Sequence, residues 1–242
     1  MRLRGARLAF VAMVPWTAQL CLAGEAIDYL RKAGKTYSQL RSFQVEAVAE
    51  TKQEIAGRAV RVRVPVIVYY VPPNRTRVEV KNADRTTQTL MISDGTEVAE
   101  LHLWDNTYTR TPGASFAIGF SPERGTGIGE MLYDRIGIGV TSASVRGYEN
   151  IQVGKDTFDC AIVDVAYGDG PTIPRFTFWI AQERGLILKR SVEFWAAGES
   201  RTVVSSILAL TFNEDIPESV FKFHPPPDSK QQLLRNASWS KR

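Results

Sequence analysis

The fold is decided by AVRVRVPVIVYY, residues 59–70, which is followed after a short turn by RTRVEVK, Arg75–Lys81. Both stretches alternate apolar with polar or charged residues, and a period of two is typical of a β-strand with one buried face. In the first stretch three valines share one face and two arginines share the other, namely Val60, Val62 and Val64 against Arg61 and Arg63. The two stretches therefore predict consecutive antiparallel strands.

The same alternation covers most of the remaining chain. Further strand candidates lie at residues 42–51, 88–93, 97–104, 106–111, 142–153, 156–167, 175–181, 186–195 and 200–212. Turn signals separate them, as in PPN at residues 72–74 and DG at residues 94–95. So many short strands with no helix between them predict a mainly β protein with a few helices, built as an unclosed antiparallel β-barrel, or half-barrel.

An amphipathic segment, EAIDYLRKAGKTYSQLRSF at residues 25–43, precedes the strands. Its apolar residues recur at steps of three and four, which places them on one stripe of a helix: Ile27, Leu30, Ala33 or Gly34, Tyr37 and Leu40. We expect this N-terminal helix to cover one face of the sheet. A helix that binds a partner protein is the alternative.

Residues 1–23 have the pattern of a Sec-type signal peptide. Three arginines among the first seven residues precede the apolar run LAFVAMVPWTAQLCLA, which ends at small residues. The run is interrupted by Pro15 and is shorter than the roughly 20 residues of a spanning helix, so a retained membrane anchor is the lesser alternative. We expect cleavage after Ala23, with Ala26 as the second choice.

The expected division of the chain is a signal peptide at residues 1–23, one domain at residues 24–230 and a flexible C-terminal tail at residues 231–242. This division predicts a periplasmic or exported protein with no transmembrane span in the mature chain. Lipidation at Cys21 is not expected, because the residues before it do not follow the small-residue pattern of a bacterial lipoprotein signal.

The charge balance excludes a nucleic-acid function. The whole chain carries 30 basic and 26 acidic residues, but residues 1–23 hold three of the arginines and no acidic residue, so 27 basic residues remain against 26 acidic ones. A nucleic-acid-binding domain needs an excess of lysine and arginine gathered on one face. We therefore expect no nucleic-acid partner.

Residues with catalytic or metal-binding chemistry are few. His102 and His224 have no neighbours at the spacing of a metal site, and Cys160, in the strand pattern FDCAIVDV, has the character of a buried core residue. The glycines of GTGIG at residues 125–129 match neither the dinucleotide nor the P-loop pattern. We expect no catalytic residue, no metal and no cofactor, and so a protein that is not an enzyme.

The glycine-rich, apolar segment SFAIGFSPERGTGIGEMLYDRIGIGV, residues 115–140, breaks the strand pattern and includes a helical stretch near residues 127–136. Two interpretations stand: a mobile helical lid over an apolar cavity, or a fixed plug of the barrel. The candidates for lid and cavity residues are Phe116, Ile118, Phe120, Met131, Leu132 and Ile136, together with Trp104 and Phe178 from the strands.

The segment FKFHPPPDSK, residues 221–230, alternates over its first residues and then runs into three prolines. We expect a last short strand with Phe221 and Phe223 facing the core. The prolines cannot donate to a strand ladder, so they are expected to end the edge of the sheet.

Three segments resemble the LolA-type outer-membrane lipoprotein carriers. LMISDGTEVAELHLWDNTYTRT, residues 90–111, resembles their apolar strand that ends in S-D-G and is followed by an aromatic strand. YYVPPNRTRVEV, residues 69–80, resembles their strand entering a Pro-Asn turn, and FKFHPPPDSK resembles their C-terminal F-x-F-x-P-P segment. With the initial helix and the signal peptide, the resemblance follows residues 24–230 in order and spacing.

The resemblance implies an unclosed antiparallel β-barrel with a helical lid over an apolar cavity. The carriers of this family take acylated lipoproteins across the periplasm, so it also implies a protein that binds or carries acyl chains, lipids or lipoproteins. The alternative is a non-enzymatic envelope sensor or regulator of the same fold that binds a protein partner.

One position departs from the family pattern. The carriers typically have an arginine implicated in lid closure just before the Pro-Asn of the turn, whereas this chain has Pro72 there, followed by Pro73 and Asn74. Proline offers neither charge nor N–H. The latch mechanism is therefore not transferred to this chain, and the resemblance implies the fold more strongly than it implies lipoprotein trafficking.

Overall fold

The computed structural model describes residues 16–55, 58–112, 136–170, 173–196 and 199–232. These residues form one α-helix, α1 Trp16–Ser38, twelve strands and a short 3-10 helix, Glu218–Phe221. The strands are β1 Phe43–Ile55, β2 Arg58–Val71, β3 Arg75–Lys81, β4 Thr87–Asp94, β5 Glu97–His102, β6 Thr107–Pro112, β7 Ser142–Val153, β8 Asp156–Ala166, β9 Arg175–Ala181, β10 Ile187–Ala196, β11 Glu199–Phe212 and β12 Lys230–Gln231. Strands β1 to β11 coincide with the predicted stretches to within a few residues at each end.

All twelve strands belong to one sheet, in the order β12-β6-β5-β4-β3-β2-β1-β11-β10-β9-β8-β7. Neighbouring strands are antiparallel, except that β12 runs parallel to β6. β1 pairs with both β2 and β11, so the last long strand returns to the middle of the sheet. The sheet stays open between β12 and β7, which confirms the mainly β, unclosed antiparallel fold with an N-terminal helix. Most of the predicted lid, at residues 115–135, lies outside the described residues.

The cross-strand register aligns apolar residues on one face of the sheet. Val45 of β1 lies opposite Val68 of β2, and Val68 lies opposite Val78 of β3. In the other half of the sheet Val163 of β8 lies opposite Phe178 of β9. We call the face that carries these five residues the inner face and the opposite one the outer face. Because β7 approaches β11 although three strands separate them, this half of the sheet is strongly curved.

Helix α1 packs on the inner face at the β7 end of the sheet. The ring of Tyr37 meets the ring of Phe43 edge-on, with centroids 6.1 Å apart, and the Tyr37 hydroxyl accepts a hydrogen bond from the Ile187 N–H at 3.3 Å. The buried residues of the helix recur at steps of three and four: Ala26, Leu30, Ala33 and Tyr37. The expectation that one helical stripe covers the sheet is confirmed.

Two turns quoted above as motifs pack against each other. The Nδ2 group of Asn74, in the turn after β2, donates a hydrogen bond to the Gly95 carbonyl in the turn after β4, at 3.2 Å. Gly95 has a φ of 99°, and a Cβ there would lie 2.9 Å from the Asn74 Oδ1 atom. Glycine is therefore required at Gly95 both by the backbone conformation and by the close approach of Asn74.

The C-terminal segment, residues 213–232, lies across the outer face of β3 to β6. Phe221 is buried there, with the Arg75 guanidinium carbon 5.7 Å from its ring centroid. The ring of Phe223 lies 5.4 Å from that of Tyr108 on β6. The outer face of the sheet at this point is buried and apolar, through Ile92, Ala99 and Leu101. A small second core therefore forms on the outer side of the sheet.

The predicted last strand at residues 221–224 is wrong. The 3-10 helix ends at Phe221, and the strand that follows is β12, which begins after the prolines and pairs with Thr107 and Tyr108 of β6. Phe221 is buried, as expected, and it covers the outer face of the sheet, where apolar residues of β4 and β5 lie. An alternation of four residues is too short to distinguish a strand from a helical turn that buries the same side chains.

Glu79, on the outer face of β3, accepts hydrogen bonds from Arg77 and Lys81, with the Arg77 Nε atom 2.5 Å from Oε1. Burial opposes the charged form, but the hydrogen bonds and charges of Lys81 and Arg77 outweigh it and hold the pKa of Glu79 below its ordinary value of 4.5. Because the folded-state pKa is the lower one, this stabilisation is complete above about pH 4.5 and is lost as the pH falls through the folded-state pKa.

We expect Glu79→Gln to lower the free energy of unfolding by about 1–3 kcal/mol at pH 7, because the two cations lose a partly buried anionic partner. The loss should shrink toward about pH 3, where the wild-type carboxylate also becomes protonated. Urea unfolding of both proteins at the two pH values measures this difference. The matched control is Glu193→Gln at an exposed position of β10, which should be nearly neutral, and an equal loss at both pH values would contradict the prediction.

Candidate functional site

The inner face of β1, β2 and β3 is a continuous apolar surface of small and β-branched side chains. Its residues lie in cross-strand rows, with Ala47 opposite Val66 and Val45 opposite Val68. Each is at most 3% exposed: Val45, Ala47, Ala49, Val66, Val68 and Val78. A surface of this kind can bind an apolar chain through dispersion and the hydrophobic effect, without directional contacts.

Two pairs of buried polar residues flank this apolar surface on the inner face. On one side Thr76 of β3 lies opposite Ser93 of β4, and both are 0% exposed. On the other side Ser205 of β11 lies opposite Arg190 of β10, and both are 1% exposed. The inner face therefore offers a central apolar surface with hydroxyl groups at both borders and a positive charge at one of them.

In the part of the chain that the structure describes, Arg190 is the only charged residue that is buried. Its cross-strand neighbours are Ser205 and Phe178, and its guanidinium carbon lies 5.8 Å from the ring centroid of Phe176. Phe176 and Phe178 stack with their centroids 6.0 Å apart. A guanidinium is more weakly hydrated than an ammonium and stacks on aromatic rings, so arginine is the cation best suited to this position. No pattern in the sequence singled out Arg190.

Of the residues predicted for the lid and cavity, three lie within the described part of the chain. Phe178 and Ile136 are 1% and 2% exposed and belong to the main hydrophobic core, Phe178 on the inner face. Trp104 lies in the turn between β5 and β6, where it is 72% exposed and its ring centroid is 6.1 Å from that of His102. The others lie outside the described residues: Phe116, Ile118, Phe120, Met131 and Leu132.

The residues with metal-binding or nucleophilic chemistry lie on separate elements. His102 pairs with Glu100 on β5, with 3.3 Å between Nε2 and Oε1, while His224 is exposed on the C-terminal segment and Cys160 is buried in β8. Within the described ranges, no group of three or more His, Cys, Asp or Glu side chains is arranged to hold a metal ion.

A polar groove of about 580 Å³ lies at the ends of β7, β8 and β9, beside residues 168–170 and Ile173. Charges of both signs line it, including Arg146, Asp164 and Glu193. Arg146 and Asp164 pair with each other at 3.6 Å, and the Thr177 hydroxyl donates a hydrogen bond to Asp164 at 2.7 Å. Two of the charged groups of the groove, Arg146 and Asp164, are therefore engaged with each other.

None of the helical segments that the structure describes combines the length and the hydropathy of a membrane-spanning helix. No protein-family model and no curated protein matches the sequence.

Solved structures with a similar arrangement include the Mycobacterium tuberculosis lipoprotein LppX, at 15% identity and a TM-score of 0.47 over 80% of this chain and 98% of that one. A LolA superfamily protein from Nitrosomonas europaea has 14% identity and a TM-score of 0.40 over 82% and 97% of the two chains. A structure of the Pseudomonas aeruginosa MucA/MucB complex has 13% identity and a TM-score of 0.45 over 83% and 61%. The neighbours include the fold family that the sequence motifs indicated. At these identities and TM-scores the likeness carries no information about ligand, partner or activity.

Cys160 is expected to be unreactive in the folded protein. It is 0% exposed, and burial, reinforced by the Asp159 and Glu149 carboxylates, raises the pKa of its thiol to about 11. Because the thiolate is the reactive species, alkylation by iodoacetamide at neutral pH should be at least about 100-fold slower than that of a free thiol. Peptide mass spectrometry after timed alkylation, in buffer and in urea, measures this ratio. Rapid labelling of Cys160 without denaturant would contradict the prediction.

Proposed function

We propose that the protein binds an acyl chain along the inner face of β1, β2 and β3, as an exported binding or carrier protein for acyl chains, lipids or lipoproteins. The observation that supports this proposal is the apolar row from Val45 through Val68 to Val78, which lies on an open sheet rather than inside a closed barrel. Because these alanine and valine side chains are at most 3% exposed, an acyl chain reaches them only when the side chains packed over the inner face move aside. The proposal assigns no catalytic residue.

The strength of such binding follows from the hydrophobic effect. Burial of a methylene group contributes about 0.8 kcal/mol, so a 16-carbon chain gains roughly 12 kcal/mol before the costs of association and ordering are subtracted. Burial of part of the chain therefore suffices for an affinity that permits both uptake and release. Arg190 adds a positive charge at the border of the apolar surface, which favours ligands with an anionic end group.

We expect the delipidated protein to bind both oleate and oleyl alcohol, oleate more tightly because of the charge of Arg190. Ala47→Phe should weaken the binding of both probes by about tenfold or more, because the added ring fills part of the inner face between Val66 and Ile207. Displacement of a fluorescent fatty acid measures the affinities. The matched control is Val48→Phe, on the outer face of the same strand, which should leave both affinities unchanged.

Thermal unfolding of each variant establishes that the added ring does not abolish folding. The proposal fails if neither probe binds the delipidated wild-type protein, or if Ala47→Phe and Val48→Phe bind both probes equally well. Equal wild-type affinity for oleate and oleyl alcohol would leave acyl binding in place and remove the role given to Arg190.

The proposed export also makes a prediction for the mature N-terminus. Glu25 accepts a hydrogen bond from the Tyr148 hydroxyl at 2.7 Å, which raises the pKa of Tyr148 to about 12, and Ala26 is buried against the core. Cleavage after Ala26 would remove both contacts, whereas cleavage after Ala23 keeps them. We expect Gly24 as the first residue of protein purified from the envelope fraction, as determined by N-terminal sequencing. A start at Ile27, or an intact Met1, would contradict this.

A further inference from the structure

Strand β2 extends beyond its neighbour β3. It pairs with β1 from Arg58 to Tyr70, whereas β3 pairs only with its later part, from Val66 to Val71. Among the described residues, no strand pairs with the other side of β2 between Arg58 and Pro65. This part of β2, together with the end of β1, forms a projecting hairpin with one free edge.

Pro65 defines which backbone groups face that edge. Proline has no N–H and is found in sheets where its nitrogen points away from the neighbouring strand. Pro65 lies opposite Val48 in a ladder without register shifts, so its nitrogen faces the free edge rather than β1. Backbone groups alternate in direction along a strand, so the N–H and C=O groups of Ala59, Arg61 and Arg63 also face outward. The free edge offers three donors and three acceptors, and Pro65 ends the row.

The side chains of the free edge separate by chemistry onto the two faces of the hairpin. Val60 and Val62 are 39% and 50% exposed on the inner-face side. Arg61, with its side chain 67% exposed, and Arg63 lie on the outer-face side. Glu50 approaches Arg61 at 3.5 Å. Even so, the outer-face side of the hairpin carries three basic residues, Lys52, Arg61 and Arg63, against two acidic ones, Glu50 and Glu54, so it keeps a positive charge.

We propose that the free edge of β2, at residues 59–63, binds an extended segment of a partner protein in which apolar and acidic residues alternate. The backbone of that segment pairs with the outward N–H and C=O groups, its apolar residues cover Val60 and Val62, and its acidic residues face Arg61 and Arg63. A second copy of the same edge is excluded as the partner, because pairing would place arginines of the two copies opposite one another. The site does not depend on acyl binding.

The experiment uses a fluorescein-labelled synthetic peptide of about eight residues that alternates glutamate with valine, and a second peptide with lysine in place of glutamate. Fluorescence anisotropy with the full mature chain should give saturable binding of the glutamate peptide and binding of the lysine peptide at least about tenfold weaker. Added salt should weaken the binding of the glutamate peptide, because the charges are exposed.

Two sets of variants separate backbone pairing from charge. Ala59→Pro removes one outward N–H without a change of charge and should weaken the binding of the glutamate peptide by about tenfold. Ala59→Ser keeps the N–H and should bind this peptide as the wild type does. The double variant Arg61→Glu/Arg63→Glu should prefer the lysine peptide. Its matched control makes the same change of charge at exposed positions away from β2, Lys155→Glu/Lys222→Glu, and should keep the original preference.

Three results would overturn the proposal. The first is the absence of saturable binding of the glutamate peptide by the wild-type chain. The second is equal binding by Ala59→Pro and Ala59→Ser. The third is self-association of the Arg61→Glu/Arg63→Glu variant with no binding of either peptide, which would mean that the arginines serve to keep the edge unpaired. A variant counts as folded when the midpoint temperature of its thermal unfolding equals that of the wild-type protein.

Discussion

An open antiparallel sheet has two faces and two edges, and the chain that forms it must cover the apolar parts of each. In this protein the two ends of the chain do so. α1 covers the inner face at the β7 end, and the C-terminal segment covers the outer face of β3 to β6, where Phe221 closes a small second core. β12 then pairs with β6 and occupies one edge. The middle of the inner face and the projecting part of β2 are the surfaces to which we assign binding.

Most of the strands could be predicted because the residues of a long strand themselves specify it. A strand of seven or more residues with a regular alternation is specified locally, so β3, β7 and β9 were predicted with the bounds that the structure gives them. β12 has two residues, and its partner β6 is distant in sequence, so no local pattern identifies it. Phe221 and Phe223 were expected to face the core, but the alternation did not give the face of the sheet that they cover, because it gives the side on which residues lie only relative to one another.

The same limitation applied to the candidate site. Lys189 and Arg190 are adjacent basic residues in β10, so one of them must point to the inner face, and the sequence alone does not say which. Lys189 lies on the outer face, with its Nζ atom 4.2 Å from the ring centroid of Trp179 and 3.6 Å from Glu149. That arrangement leaves Arg190 on the inner side, in step with Val192. Because a buried charge carries a large desolvation cost, the outward contacts of Lys189 help to determine which of the two cations is buried.

The two proposed binding surfaces are parts of one alternation in β2. Val66 and Val68, which lie between β1 and β3, belong to the main hydrophobic core and are each 1% exposed, while Val60 and Val62 lie in the same row of the same strand beyond the end of β3 and are 39% and 50% exposed. Pro65 marks the boundary between the two halves. A segment paired with the free edge would supply the missing neighbour and extend the inner face by one row of apolar side chains. An acyl chain lying along β1, β2 and β3 would then meet that row at its end, so occupation of one surface alters the border of the other.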